Sequence, residues 1–318
     1  MKEHLKAYID ESKTAHVRGL RILLEYFYAT EIFEGITKAG AKIISVFGSA
    51  RTKPQSPEYK MAHELGASLY RAGFAVVTGA SRGIMQAANQ GAADEIAAEL
   101  VRKRRAKSVV AARETEAYRK MLTRHSVGLS ISLPMEGENN PFVGVSATFH
   151  YFMVRKFFFG SLSSGFIACE GGWGTRDELY EILTLVQTGK APVMPIVYLS
   201  SDTKHLEDDL KHTLSHQYIS KEDLDLLKLV KTPRQAAEEI ARFYRVVDKI
   251  SYDRDYLVRI VLKKNVSQKA KKDFERLLHR TDEGPQETEW RDHEIRLYHY
   301  APHSYGPLRL AIDRLNCG

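Results

Sequence analysis

The chain has 318 residues, 43% apolar and 27% charged, enough to bury a full core and too apolar for a mainly disordered protein. Its net charge of +7 favours anionic ligands without demanding a nucleic acid. Only two cysteines, Cys169 and Cys317, are present, which excludes a disulfide framework or a cysteine zinc site and suits a reducing compartment.

In chain order, the opening run MKEHLKAYIDESKTAHVRGLR is charged throughout and lacks the apolar stretch of a secretory signal. Leu20, Leu23, Leu24 and Phe27 recur at helical spacing, so residues 1–38 are expected to form a helical leader. From residue 42 the pattern changes. KIISVFGSA, FAVVTGA, VGLSISLP, GFIACE and APVMPIVYLS read as buried strands. PEYKMAHELGASLYRAG, GIMQAANQGAADEIAAEL, a segment over 147–160, TRDELYEILTLVQTGK and KTPRQAAEEIARFYRVVDKI read as helices. The strands are apolar throughout rather than alternating, as in a parallel sheet covered on both faces. The expected fold class is therefore α/β, a Rossmann-like doubly wound sheet.

Residues 95–125 interrupt this alternation with nine Lys and Arg against four Asp and Glu, and read as a solvated, charged helical excursion. Tyr118 is the sole aromatic among them, so nucleic acid is not expected as a partner. Beyond residue 250, DYLVRIVLKK, HEIRLYHYA and PLRLAIDRL read as strands and SQKAKKDFERLLHR as a helix. The expected divisions are a leader at 1–38, a main α/β domain at 39–250 and a small α+β unit at 251–318. The run from Phe157 to Cys169 is too short and too broken by Gly and Ser to span a bilayer, so a cytoplasmic protein is expected.

Ligands of open α/β sheets lie beyond the strand C-termini. The strand ends here are Gly48-Ser49-Ala50-Arg51, Gly79-Ala80-Ser81-Arg82-Gly83 and Glu170-Gly171-Gly172-Trp173-Gly174-Thr175. The last precedes an amphipathic helix, where glycines and a helix N-terminus suit a phosphate at Gly171, Gly172, Gly174 and Thr175. Neither Gly-rich turn has dinucleotide or P-loop spacing, so a mononucleotide or sugar phosphate is favoured. Thr175 and Glu178 also fit a capping box, which would occupy the carboxylate. His212 and His216 have metal-ligand spacing but no evident third ligand. Cys169 has no assigned base and reads as a small buried residue.

Three ordered motifs, GASRGIM at 79–85, the pair Arg155-Lys156 and EGGWGTRDE at 170–178, together with VFGSAR and SLPMEGENNPFV, carry a resemblance to a known family. Over roughly 42–250 the chain resembles the LOG family, the cytokinin riboside 5′-monophosphate phosphoribohydrolases and related nucleotide nucleosidases, often labelled lysine-decarboxylase-like. The resemblance implies cleavage of a nucleoside 5′-monophosphate, with a purine favoured, to free base and ribose 5-phosphate. It makes Arg155 and Glu178 the catalytic pair, with Lys156 beside them, and reverses the preference for the capping box. Gly48, Ser49, Gly79, Arg82, Gly83, Met85 and Asn140 would form the rest of the site.

The resemblance further implies a homodimer with its sites near the subunit contact, and no metal or organic cofactor. Nothing near Lys156 or Lys190 singles out a Schiff-base lysine. Glu170 replaces the family's proline, and Arg82 stands in a turn that has lost glycines. These opposite charges are expected to compensate each other, or Arg82 to supply a new phosphate contact. A non-catalytic nucleotide- or cofactor-binding carrier of the same fold is the alternative.

Overall fold

The computed structural model describes residues 15–37, 40–133 and 139–317. Seven parallel strands form the central sheet: β1 (Ile43–Phe47), β2 (Ala75–Thr78), β3 (Ser126–Ile131), β4 (Val145–Phe149), β5 (Ser163–Cys169), β6 (Ile196–Leu199) and β7 (Leu227–Val230). Their order is β4-β3-β2-β1-β5-β6-β7. β1, β2, β3 and β6 are buried at every position, as expected of a doubly covered parallel sheet.

The helices are α1 (Ala15–Thr37), α2 (Pro57–Arg71), α3 (Ile84–Arg102), α4 (Val109–Arg113), α5 (Glu116–His125), α6 (Phe152–Leu162), α7 (Trp173–Gln187), α8 (Lys204–Ser215) and α9 (Pro233–Phe243). Local signals set their ends: Ser56 caps α2 with Pro57 behind it, and Thr232 and Gln235 form a full capping box on α9. Among the described residues no helix is long and apolar enough to cross a membrane.

A four-stranded antiparallel sheet follows, ordered β10-β11-β9-β8. It comprises β8 (Val247–Asp253), β9 (Leu257–Leu262), β10 (Glu287–Arg291) and β11 (Glu294–Tyr298), with α10 (Gln268–Leu278) and α11 (Gly306–Cys317). Arg309 of α11 is fully buried. It donates to Glu239 of α9, lies 3.2 Å from Asp313 and stacks over Phe243, tying the terminal helix to the main domain.

Three expectations from sequence need correction. The segment 147–160 is not one helix, because Val145, Ala147 and Phe149 alternate on an edge strand before α6 starts at Phe152. The helix after Lys231 ends at Phe243, and Val247–Asp253 pairs antiparallel with β9. PLRLAIDRL is helical: Leu308, Ala311, Ile312 and Leu315 are buried at i, i+3, i+4 and i+7. Of the leader, residues 1–14 and 38 lie outside the described residues, as do Pro134 to Glu138.

Candidate functional site

The sheet reverses its winding at β1. The chain moves outward through β2, β3 and β4, then returns to lay β5 along the other side of β1. A crevice opens at such a reversal because the flanking loops diverge to opposite faces. Here it is a pocket of about 480 Å³. The turn after β1 contributes Gly48, Ser49 and Arg51, and the turn after β5 contributes Gly172, Trp173 and Gly174. Met85 of α3, Phe152, Arg155 and Phe159 of α6, and Thr175 and Glu178 of α7 close it.

Backbone contacts lock the strand-end turns to one another. Ser49 donates its N–H to the Glu170 carbonyl at 3.0 Å, and its own carbonyl accepts from Ile84 at 3.0 Å. Gly83 has φ +66°, and a Cβ there would strike the Ser49 carbonyl oxygen. Only glycine satisfies both the left-handed backbone and that approach.

The capping box that the Thr175–Glu178 spacing also allows does not form. α7 begins two residues before Thr175, with Gly172 as its N-cap and no side-chain cap. Thr175 is already inside the first turn, its amide bonded to the Gly172 carbonyl at 3.2 Å. The first N–H groups, of Trp173 and Gly174, have no intrahelical acceptor by position, and a bare end of this kind favours an anion.

Glu178 therefore sits one turn further on, released from any capping role. It is 6% exposed, and Arg155 Nη2 lies 3.8 Å from its Oε1. The Arg155 guanidinium rests 5.1 Å from the Phe152 ring centre and 5.8 Å from that of Phe159. Burial pushes the Glu178 carboxyl up to about 7, against the downward pull of Lys156 and Arg155. A carboxyl balanced near neutrality, beside a fixed cation and an anion-binding helix end, is equipped for proton transfer.

Nine of the sequence-predicted residues meet around this pocket: Arg155, Glu178, Gly48, Ser49, Gly79, Met85, Gly172, Gly174 and Thr175. The other five stand behind it. Gly83 and Gly171 shape turns; a Cβ at Gly171 would strike the Thr175 hydroxyl. Asn140 is a loop anchor, buried, accepting from Phe142 and donating to Ser81 and Asn89. Lys156 points to the surface carboxylates Asp177, at 2.9 Å, and Glu181, at 2.5 Å. Arg82 is exposed, and no ion pair joins it to Glu170. The compensation expected between them is not seen, because Glu170 turns toward β6 and accepts from the Ser200 hydroxyl.

Sequence reasoning missed Arg51, Trp173, Phe152 and Phe159 in the pocket wall. Arg51 directly follows Gly48-Ser49-Ala50, so its place at a strand end could have found it. Trp173, 91% exposed, stands between two of the glycines assigned to the phosphate. Phe152 and Phe159 gave no separate signal within an apolar run.

Cys169 is buried and its thiol is pushed up to about 12 by desolvation, which keeps it protonated. His216 Nδ1 lies 2.9 Å from the His212 carbonyl oxygen. Among the described residues no three His, Cys, Asp or Glu are placed to hold a metal ion.

A family model described as possible lysine decarboxylase matches residues 85–240, and one described as the SLOG cluster4 family matches 41–100. No curated protein matches the chain. Similar solved structures include the molybdenum cofactor binding protein of the phototrophic bacterium Rippkaea orientalis, at 21% identity over 62% of this chain and 94% of that one, with a TM-score of 0.40. The molybdenum cofactor carrier protein of Chlamydomonas reinhardtii is similar at 18% identity, over the same 62% and 94%, with a TM-score of 0.40.

Proposed function

Taking as premise that the chain belongs to the family described as possible lysine decarboxylases, with its LOG-like members, we propose that the pocket hydrolyses the N-glycosidic bond of a purine nucleoside 5′-monophosphate. The observation that carries this reading is the facing pair Arg155 and Glu178, 3.8 Å apart beside the uncapped start of α7.

The family description itself points to a different chemistry, which these residues do not fit. Amino-acid decarboxylation through pyridoxal phosphate needs a Schiff-base lysine. Among the described residues no lysine lines the pocket. Burial alone would lower the Lys156 ammonium, but hydrogen bonds to Glu181 and Asp177 outweigh it and hold the group above the usual lysine range. That is the reverse of what an amine nucleophile requires.

For hydrolysis, the phosphate binds the free N–H groups of Trp173 and Gly174, with Thr175 beside them. This sets the ribose toward Arg155 and Glu178. As the bond from C1′ to the base nitrogen breaks, its electron pair leaves with the base and positive charge grows on the ribose. The Glu178 carboxylate stabilises that charge and takes a proton from the water whose oxygen joins C1′. That same proton then passes from Glu178 to the base nitrogen, which restores the carboxylate and leaves free base and ribose 5-phosphate. Arg155 fixes the carboxylate and the ribose oxygens. Phe152, Phe159 and Met85 supply apolar wall for the base. A cytoplasmic setting suits a nucleotide substrate and a buried free thiol at Cys169.

The test incubates the protein with a panel of nucleoside 5′-monophosphates and the matching nucleosides, resolving free base and ribose 5-phosphate by chromatography. Base is expected from monophosphates only, and at least a hundredfold less from Glu178→Gln. Tight binding of one nucleotide without release would instead make this the pocket of a carrier.

The same reading includes a homodimer. α1 exposes Leu20, Leu23, Leu24 and Phe27, and α6 exposes Met153 and Phe157, beside the pocket residue Phe152. Tyr26 and Phe157, with ring centres 5.5 Å apart, join the two sets into one apolar face. A contiguous face of this kind is a self-complementary contact waiting for a second copy.

A further inference from the structure

The helix that carries Arg155 does not cap itself. α6 starts after Tyr151, and no side chain of its own segment bonds its first N–H groups. Support arrives from the leader helix, 125 residues earlier in the chain, at the two residues that lead into α6. Glu25 of α1 accepts from the His150 N–H at 2.9 Å and from the Tyr151 N–H at 3.3 Å, with the His150 ring Nδ1 also 2.9 Å away. A carboxylate there satisfies the N–H of the N-cap residue Tyr151 and of His150 before it, and complements the positive end of the helix dipole.

The contact is part of a packed joint. Tyr26 lies against Phe157 and Phe158, and Phe33 against Phe158, with ring centres 5.5, 5.6 and 5.9 Å apart. Ala29 and Phe33 of α1 are fully buried. The Tyr151 carbonyl accepts the Arg155 N–H at 3.3 Å, so the clamped residue is itself the first-turn anchor of Arg155.

We propose that Glu25 is a positioning residue for Arg155: from the leader it fixes the first turn of α6, and so the distance from the guanidinium to Glu178. The kinetic part of this rests on the hydrolase reading above; the structural part does not. The leader is thereby part of the site's machinery rather than an appendage, and any event that lifts α1 would loosen the catalytic pair.

The test compares Glu25→Ala and Glu25→Gln in the full chain, with Glu31→Ala, an exposed residue of the same helix, as control. Two readouts need no substrate. Amide exchange at His150 and Tyr151 is expected to quicken about tenfold in Glu25→Ala. The Glu178 titration, followed by carboxyl NMR, is expected to move upward from about 7 as Arg155 withdraws, with Lys156, Asp177 and Glu181 unchanged around it. Glu25→Gln keeps an acceptor oxygen and should restore most of both, while Glu31→Ala should alter neither. In the kinetic readout kcat falls about tenfold in Glu25→Ala with KM within about twofold.

Unchanged exchange at His150 and Tyr151 would overturn the cap. Faster exchange with an unmoved Glu178 titration would overturn the positioning role. A wild-type protein that releases no base overturns the hydrolase reading alone, since both substrate-free readouts still decide this proposal.

Discussion

At Glu178, burial and chemistry pull against stability. The unfolded chain releases this proton near the ordinary 4.5, while the folded chain keeps it until about 7. Between those values the folded state holds more protons, so stability falls as pH rises, and above about 7 the whole cost, about 3 kcal/mol, is present. Glu178→Gln is therefore expected to be more stable than the wild type by up to about 3 kcal/mol at pH 8 and by much less at pH 5. Urea unfolding at the two pH values checks this; equal stability of the two proteins at pH 8 would mean the carboxyl is not desolvated. On the proposed mechanism the carboxylate is the working form, so kcat/KM of the wild type should rise with pH through a midpoint near 7. The identities of Arg155 and Glu178 were legible from motif order. Their 3.8 Å approach was not, since it depends on where α7 begins. T-x-x-E spacing is equally good for a cap, and only the start of the helix at Trp173 separates the two roles.

Among the elements, α2 and α3 pack with their backbones nearly touching. A Cβ on Gly66 would run into the Ala88 carbonyl, and one on Gly91 into the His63 carbonyl. Backbone cannot yield as a side-chain tip can, so the helices would have to separate. Gly66→Ala and Gly91→Ala are each expected to cost about 3 kcal/mol, read as a lowered Tm. Either variant melting like the wild type would show that the interface has slack. The approach matters to the site because α3 opens with the Gly83 turn that holds Ser49 in place. Helix and strand alternation through this region was plain in the sequence, from apolar runs bounded by Pro57, Gly73 and Gly79. The edge strand β4 was not. Its five residues lie against the aromatic run of α6, and hydrophobicity alone does not separate a short strand from a helix there.

At the scale of the whole molecule, the described residues leave an apolar face of α1 and α6 exposed in a single copy. If two copies meet there, Leu24→Glu combined with Phe157→Glu should convert a dimer to a monomer in sedimentation velocity, with the fold retained by circular dichroism. A wild-type protein that sediments as a monomer at micromolar concentration would remove the dimer from the reading. Glu25 lies between the exposed Leu24 and Phe27 on α1, so the contact would also press the clamp onto α6. At the far end of the chain, Asn316 of α11 bonds the Phe243 carbonyl at 2.8 Å and accepts from the Val246 N–H at 2.8 Å. Together with Arg309 this fixes the terminal helix across the junction of the two sheets. The segment reads as a strand by itself, and the helical spacing of its buried residues Leu308, Ala311, Ile312 and Leu315 is evident only in the packed structure.

Through motif order and the family resemblance the sequence named Arg155 and Glu178; by itself it determined the α/β class and the glycine turns at the strand ends. These are local matters of periodicity and backbone freedom, and a single stretch of chain carries each of them. Only the tertiary structure decided that Glu178 is free of its cap, that Glu170 turns to Ser200 instead of Arg82, that Lys156 points away, and that a residue of the leader caps α6. Each of these depends on which of several nearby partners a polar group reaches once the chain has folded. Sequence spacing fixes the candidates, and packing chooses among them.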